Sequence, residues 1–193
     1  MCVLYEDVLQ QQHDGDKHRT KHEWWAAHGV EVVRCRFNGR HEVPVDFGDY
    51  YRDGSNVVVD TKASIHELMG NLGSDYRRLD HECRRAADVG YRIVFVVECG
   101  GRFADPSTLR KVVSMYCATR CWHYRKRQCD PTDEEGDCPA RGRKRKPFQG
   151  YKLMGRMKSL HVKYGAEFEF VEPEDSARRI CELLGVSYGD GEQ

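Results

Sequence analysis

Apolar positions along this chain fall into short runs of two periods, two and about 3.6, and the two kinds of run alternate. Residues 2–5 form a brief apolar run that reads as a strand ending at Glu6 and Asp7. Residues 10–17 are polar and read as a loop. Residues 21–28 place Trp24, Trp25 and Ala27 toward one side, with Gly29 as a stop, so a helix is expected. Residues 30–37 alternate as a strand. Two strands follow at 45–52 and 56–62, joined through Asp53-Gly54, the strongest hairpin signal in the chain. Residues 63–72 carry Ile65, Leu68, Met69 and Leu72 at helical spacing. Residues 75–89 repeat this with Leu79, Cys83, Ala86 and Ala87 before Gly90. Residues 91–98 are almost continuously apolar, which suits a strand covered on both faces.

Beyond this strand, residues 106–115 predict a helix. Residues 117–146 break the pattern with cysteines, an acidic run and a basic run, and regular structure resumes at Gln149. Residues 151–164 predict a helix stopped by Gly165, and residues 166–171 a strand. A final helix is expected from Pro173, with Glu174 and Asp175 at its N-terminus and Gly185 at its end. The order β-α-β-β-β-α-α-β-α, insertion, α-β-α predicts an α/β fold: a mixed sheet flanked by helices on both faces. Residues 1–193 are read as a single domain, with 117–146 as a cysteine-rich, basic insertion.

The hairpin carries the chemistry. With Asp53-Gly54 as a two-residue turn, Asp49 pairs Val58, and Asp60 and Lys62 share the face of Asp49 because faces alternate with period two. A four-residue turn pairs Asp49 directly with Asp60, again on one face. Only an odd-length loop separates them. Two carboxylates sharing a site repel, and one pKa rises. A divalent cation removes that conflict: Mg²⁺ (or Mn²⁺) takes one or two carboxylates plus waters and phosphate oxygens. Such a cation activates water and stabilises charge on a phosphate, and Lys62 would orient the water or steady the phosphorus. The bland reading of an acid-x-Lys triplet is ordinary edge-strand charge; the buried run Val57-Val58-Val59 and the shared face favour a site.

Composition narrows the classes. The chain has 193 residues, 39% hydrophobic and 32% charged, which is globular rather than disordered. Lys+Arg and Asp+Glu are both 31, which argues against a uniformly basic DNA-coating protein and leaves a local basic groove open. No apolar run approaches membrane-span length, and the first twelve residues turn polar too soon for a signal peptide, so a cytoplasmic protein is expected. Nine cysteines, an odd count, suit reduced thiols or metal ligands rather than a disulfide framework.

Gly48-Asp49-Tyr50, then Val59-Asp60-Thr61-Lys62, then a helix with Glu67 near its start, resembles the nuclease domain of XPF-type structure-specific endonucleases, within the PD-(D/E)xK superfamily. Short stand-alone prophage and phage versions are the most similar. They carry a KHEWFAAHGVE-like segment, matched by residues 21–31, and end on YG-x-x-F-x-F and a helix, matched by residues 164–184. The resemblance implies a restriction-endonuclease-like fold and Mg²⁺-dependent hydrolysis of branched or flap DNA in repair or recombination, with a homodimer among the assemblies. It implies Asp49, Asp60 and Lys62 as catalytic, with Asp7, Asp49 and Asp60 around the metal. Arg77 and Arg78 fall near the family's helical arginine and are expected to hold a phosphate, against an exposed helix face as the bland reading. The family's Asp-x-Arg departs here: the acid stays at Asp7 and Leu9 replaces the arginine.

Cys117, Cys121, Cys129 and Cys138 lie within 22 residues and are candidate ligands of a structural Zn²⁺, against free thiols in a loop. Arg143, Lys144 and Arg145, in the run 141–146, and the cluster 125–127 are candidate DNA-backbone contacts. His18 and His22 read as a solvated helix face, and Trp24 and Trp25 as core. The rival to an endonuclease is a DNA- or protein-binding module of the same fold without activity; a third class is a zinc-centred interaction protein.

Overall fold

A computed structural model describes residues 3–11, 15–39, 43–140 and 147–189. Its centre is a six-stranded mixed sheet of order β2-β1-β3-β4-β5-β6. The strands are β1 (Leu4–Asp7), β2 (Val32–Cys35), β3 (Tyr50–Arg52), β4 (Val57–Lys62), β5 (Arg92–Glu98) and β6 (Glu167–Val171). β3 runs antiparallel to both neighbours, β1 and β4, and the remaining pairs are parallel. The helices are α1 (Gly15–Ala27), α2 (Ile65–Gly73), α3 (Tyr76–Asp88), α4 (Pro106–Arg110), α5 (Met115–Thr119), α6 (Trp122–Arg125), α7 (Gly150–Tyr164) and α8 (Ser176–Leu184).

Strand alternation assigns the two faces. Val58, Ile93, Phe95 and Val97 pack with Leu68, Leu72, Leu79, Leu153 and Leu160 of α2, α3 and α7. Val57, Val59, Val94 and Val96 point the other way, onto Trp25 of α1 and Ile180 and Leu184 of α8. Strand β5 is therefore buried on both sides, as its unbroken apolar run predicts. Trp25 ties the second layer together. Its ring meets Tyr50 edge-on at 5.5 Å, and its indole N–H donates to the carbonyl of Ala177 at 3.1 Å.

Three expected elements differ. β1 ends at Asp7 as expected, and its fully buried Glu6 carboxylate is compensated: His22 Nε2 lies at 2.9 Å, His18 Nδ1 at 3.4 Å, and the Tyr50 hydroxyl donates at 3.4 Å. The same contacts draw His18 and His22 inward rather than to solvent, and α1 starts at Gly15, ahead of the expected 21. Residues 45–49 alternate between buried and exposed, as a strand would, yet only Tyr50–Arg52 joins the ladder. Pro44 has no N–H to give, and Gly48 turns at φ 72°. The helix expected over 106–115 splits into α4 and α5. The intervening backbone bonds instead to the start of α7, with Gly150 N–H donating to Val112 at 2.8 Å and Ser114 N–H donating to Gln149 Oε1 at 2.8 Å. Ser114 then caps α5. Among the described residues no helix is long and apolar enough to cross a membrane.

Candidate active site

The site grows from the β3–β4 hairpin. Tyr50 pairs Val59, and Ser55 N–H donates to Arg52 O at 3.1 Å, so the wider of the two even-length turns is realised. Asp49 lies just outside the ladder, and its N–H donates to Val59 O, beside Asp60, at 2.8 Å. Its carbonyl accepts the Asp7 N–H at 2.9 Å, which clamps Asp49 between β1 and β4. Asp49, Asp60 and Lys62 are 1%, 4% and 7% exposed. Asp60 pairs Phe95 and shares its face with Val58 and Lys62, and the Asp49 carboxyl is close enough to interact with both Asp60 and Lys62.

Their contacts are specific. Asp49 Oδ2 accepts from the Thr61 N–H at 2.6 Å and the Thr61 hydroxyl at 2.7 Å. The Lys62 ammonium is ion-paired with Asp60 Oδ1 and sits 5.9 Å from the Phe95 ring centroid. Burial first, and then the Asp60 charge, push the Asp49 carboxyl up to about 8, against the pull of Lys62 and the Thr61 hydrogen bonds. Burial alone would lower the Lys62 pKa; Asp60 and Asp49 outweigh it and hold the ammonium charged well above its ordinary value.

Helix α3 supplies a third carboxylate, Glu82, absent from the residues that motif and spacing single out. Glu82 accepts the Gly48 N–H at 3.4 Å and an Arg78 guanidinium N–H at 2.9 Å. Burial, and then Asp60, raise its pKa. The only signal along the chain is that Arg78 and Glu82 stand four residues apart on one helix face. Nothing local tells that this face meets the hairpin. Arg78 also bonds Asp75 at 2.6 Å, and Asp60 is among the charges that hold its pKa up. Arg77 lines the adjoining open crevice of about 640 Å³ with Asp46, Arg78, His81, Glu82 and Arg85.

The other candidate residues divide. Asp7 lies on the same sheet face as Asp49, and its Oδ1 accepts from the Leu9 N–H at 3.2 Å and the Phe37 N–H at 3.4 Å, so one oxygen closes local loops. Glu67 pins the helix start: its carboxylate accepts the N–H of Ala63, the residue before the Ser64 N-cap, at 2.8 Å, and its own N–H donates to Ser64 Oγ at 3.1 Å. That fixes the start of α2 directly after Lys62. Cys83 and Cys181 are buried as expected, while Cys35 and Cys99 are half-buried. Arg143, Lys144 and Arg145 lie outside the described residues.

The carboxyl groups of Asp49, Asp60 and Glu82 outnumber the cations Lys62 and Arg78 here, and burial with the Asp60 charge makes a negative charge on Asp49 costly, as its raised pKa shows. Two carboxylates beside an open crevice are a fit for an oxygen-preferring divalent cation that keeps several waters. Among the described residues no group of three or more His, Cys, Asp or Glu side chains is set to hold an ion as it stands.

No protein-family model and no curated protein matches the sequence. Solved structures do. XPF from Aeropyrum pernix is 20% identical, with 99% of this chain and 64% of that chain covered and a TM-score of 0.50. XPF from Aeropyrum pernix in complex with DNA is 18% identical, with 96% of this chain and 64% of that chain covered and a TM-score of 0.52. The chain therefore has an XPF-nuclease-like fold and spans 64% of the length of each matched chain.

Proposed function

We propose that this chain is a divalent-cation-dependent DNA endonuclease that hydrolyses phosphodiester bonds, with branched or flap DNA as its substrate class. The observation that carries the proposal is that Asp49, Asp60 and Lys62 are all buried and act on one another's charge, with Glu82 linking them to an open crevice through its bond to Gly48 N–H. The DNA bound by the matched structure supports the choice of substrate, as does the resemblance of the hairpin motif. Asp49 and Asp60 would hold Mg²⁺ or Mn²⁺, and Asp7, on the same face, completes the set. When bound, the cation supplies a water of lowered pKa and charge stabilisation at the phosphate.

Each residue of the chain then has a task. Lys62, held charged by Asp60, cannot take a proton at neutral pH. Its role is electrostatic: it orients the attacking water and stabilises the extra negative charge that develops on the phosphate. Glu82 positions Asp49 through the Gly48 N–H. Arg78 and Arg77 at the crevice contact a phosphate of the DNA backbone. A homodimer is consistent with the resemblance and is part of the proposal only as an assembly state.

One assay tests the activity. Wild type is incubated with branched and duplex DNA in Mg²⁺ or in a chelator, alongside Asp60→Ala and Lys62→Ala. Cleavage that needs the cation and falls at least ~10²-fold in both variants is expected, the scale of removing one charge-stabilising group. DNA retention without any cutting would instead make the chain an inactive binding module of this fold, the alternative favoured by Leu9 in place of the family's arginine.

A further inference from the structure

The segment between α4 and α7 poses a different problem. From Cys117 to Ala140 it contains no strand, and its helical residues are one turn of α5 and the short α6. Its buried residues are Cys117, Cys121 and Pro131 alone, so it has no apolar core to offset the entropy of ordering about two dozen residues. Yet it holds a defined path. Gln128 N–H donates back to His123 O at 2.9 Å, Asp130 accepts from the Thr132 N–H at 2.8 Å, and Arg127 takes a left-handed φ of 55°. The exposed pair Arg110–Glu134, at 2.6 Å, contributes little on its own.

The thiols are where the segment draws together. Cys117 and Cys121 are buried one helical turn apart, on α5 and at the N-cap of α6. Cys121, Cys117 and Cys138 all lie close enough to Cys129 for their charges to act on it. All four are free thiols. A fifth residue points to a thiolate. Gln149 is fully buried, and its Oε1 takes the Ser114 N–H, which fixes the amide. Its Nε2–H therefore faces Cys117 Sγ, at 3.3 Å. A buried amide donor aimed at sulfur is the outer-shell partner that a metal-bound thiolate uses.

We infer that Cys117, Cys121, Cys129 and Cys138 are the ligands of one structural zinc ion, which takes the place of an apolar core in this segment. Four Zn–S bonds form and four thiol protons leave, giving a centre of net charge −2; the exposed Arg120, Arg125, Lys126 and Arg127 offset it. As they stand the thiols are not yet set around one point. The half-buried Cys129 and Cys138 would close onto the buried Cys117–Cys121 pair as the ion binds. The inference is independent of DNA cleavage, because no residue of the carboxylate site takes part.

The test is zinc content of the full chain, purified without chelator. About one zinc per chain is expected. Cys129→Ser and Cys138→Ser, at half-buried positions, should each reduce it at least ~fivefold, while Cys35→Ser, on β2, retains it. A second readout covers variants that fold poorly: a zinc-selective chelator should speed proteolysis within residues 117–140 of wild type about tenfold, reversed by zinc and not by magnesium. Zinc-free wild type that gains no thiolate-to-metal absorption on cobalt addition would overturn the inference. So would mass-spectrometric detection of disulfides among the four cysteines.

Discussion

Asp49→Asn should abolish cleavage and, in cation-free buffer at pH 8, make the protein more stable than wild type. The opposite signs follow from one fact: the Asp49 carboxyl titrates at about 8 in the fold, because burial and Asp60 oppose its charge. Below the ordinary carboxylate range, folded and unfolded chains both hold the proton and stability is unaffected. Between about 4 and 8 the folded chain binds the extra proton, so stability falls as pH rises. Above that window the loss is complete, on the order of a few kcal/mol. Asparagine is neutral throughout, and its amide oxygen still accepts both Thr61 donors. Denaturant midpoints in cation-free buffer from pH 5 to pH 8 should therefore decline in wild type and stay nearly level in the variant. A variant that tracks wild type across the window would show that Asp49 carries no such strain.

Gly48→Ala should be the most damaging single-methyl change near the site. Gly48 lies at φ 72°, and a Cβ there would come within 2.3 Å of Val58 Cγ1 and 3.1 Å of Val59 O. The left-handed conformation costs a non-glycine residue about 1–2 kcal/mol. Forcing a methyl into a packed position adds about 1–3 kcal/mol. The strain falls on the Asp49–Val59 hydrogen bond, so Asp49 is displaced, and misplacement by about 1 Å is enough to lower turnover ~10²-fold. Gly54→Ala is the control. It has φ 77° and nothing within 4 Å of a Cβ, so it should show the conformational cost alone and keep full activity. Equal effects from the two substitutions, in denaturant midpoint and in kcat/KM, would contradict the tight packing at Gly48.

Much of this was legible along the chain, for identifiable reasons. The hairpin turn, the buried run before Asp60 and the period-two rule place Asp49, Asp60 and Lys62 on one face whichever even-length turn forms. The structure adds the register, Tyr50 against Val59, which is that of the wider turn. The helices of residues 65–88 and 150–164 follow from strong 3.6-residue periodicity. What failed was decided by contacts distant in sequence. His18 and His22 read as a solvated helix face because nothing local shows that both will meet the buried Glu6 carboxylate. The single helix expected before the insertion breaks because residues 112–114 bond to Gln149 and Gly150, some 35 positions later. Glu82 was missed for the same reason: its role exists only once α3 lies against Gly48. Glu67 matches the family's helical acid by position and serves here to cap α2.

The central claim is that Asp49 and Asp60 share a divalent cation. Crystals soaked in Mn²⁺ and measured at a wavelength where manganese scatters anomalously test it without any assumption about the substrate. An anomalous peak within coordinating distance of both carboxylates, lost in Asp60→Ala, is the expected result. Manganese bound elsewhere, or no peak although the lattice leaves the crevice open, would contradict it.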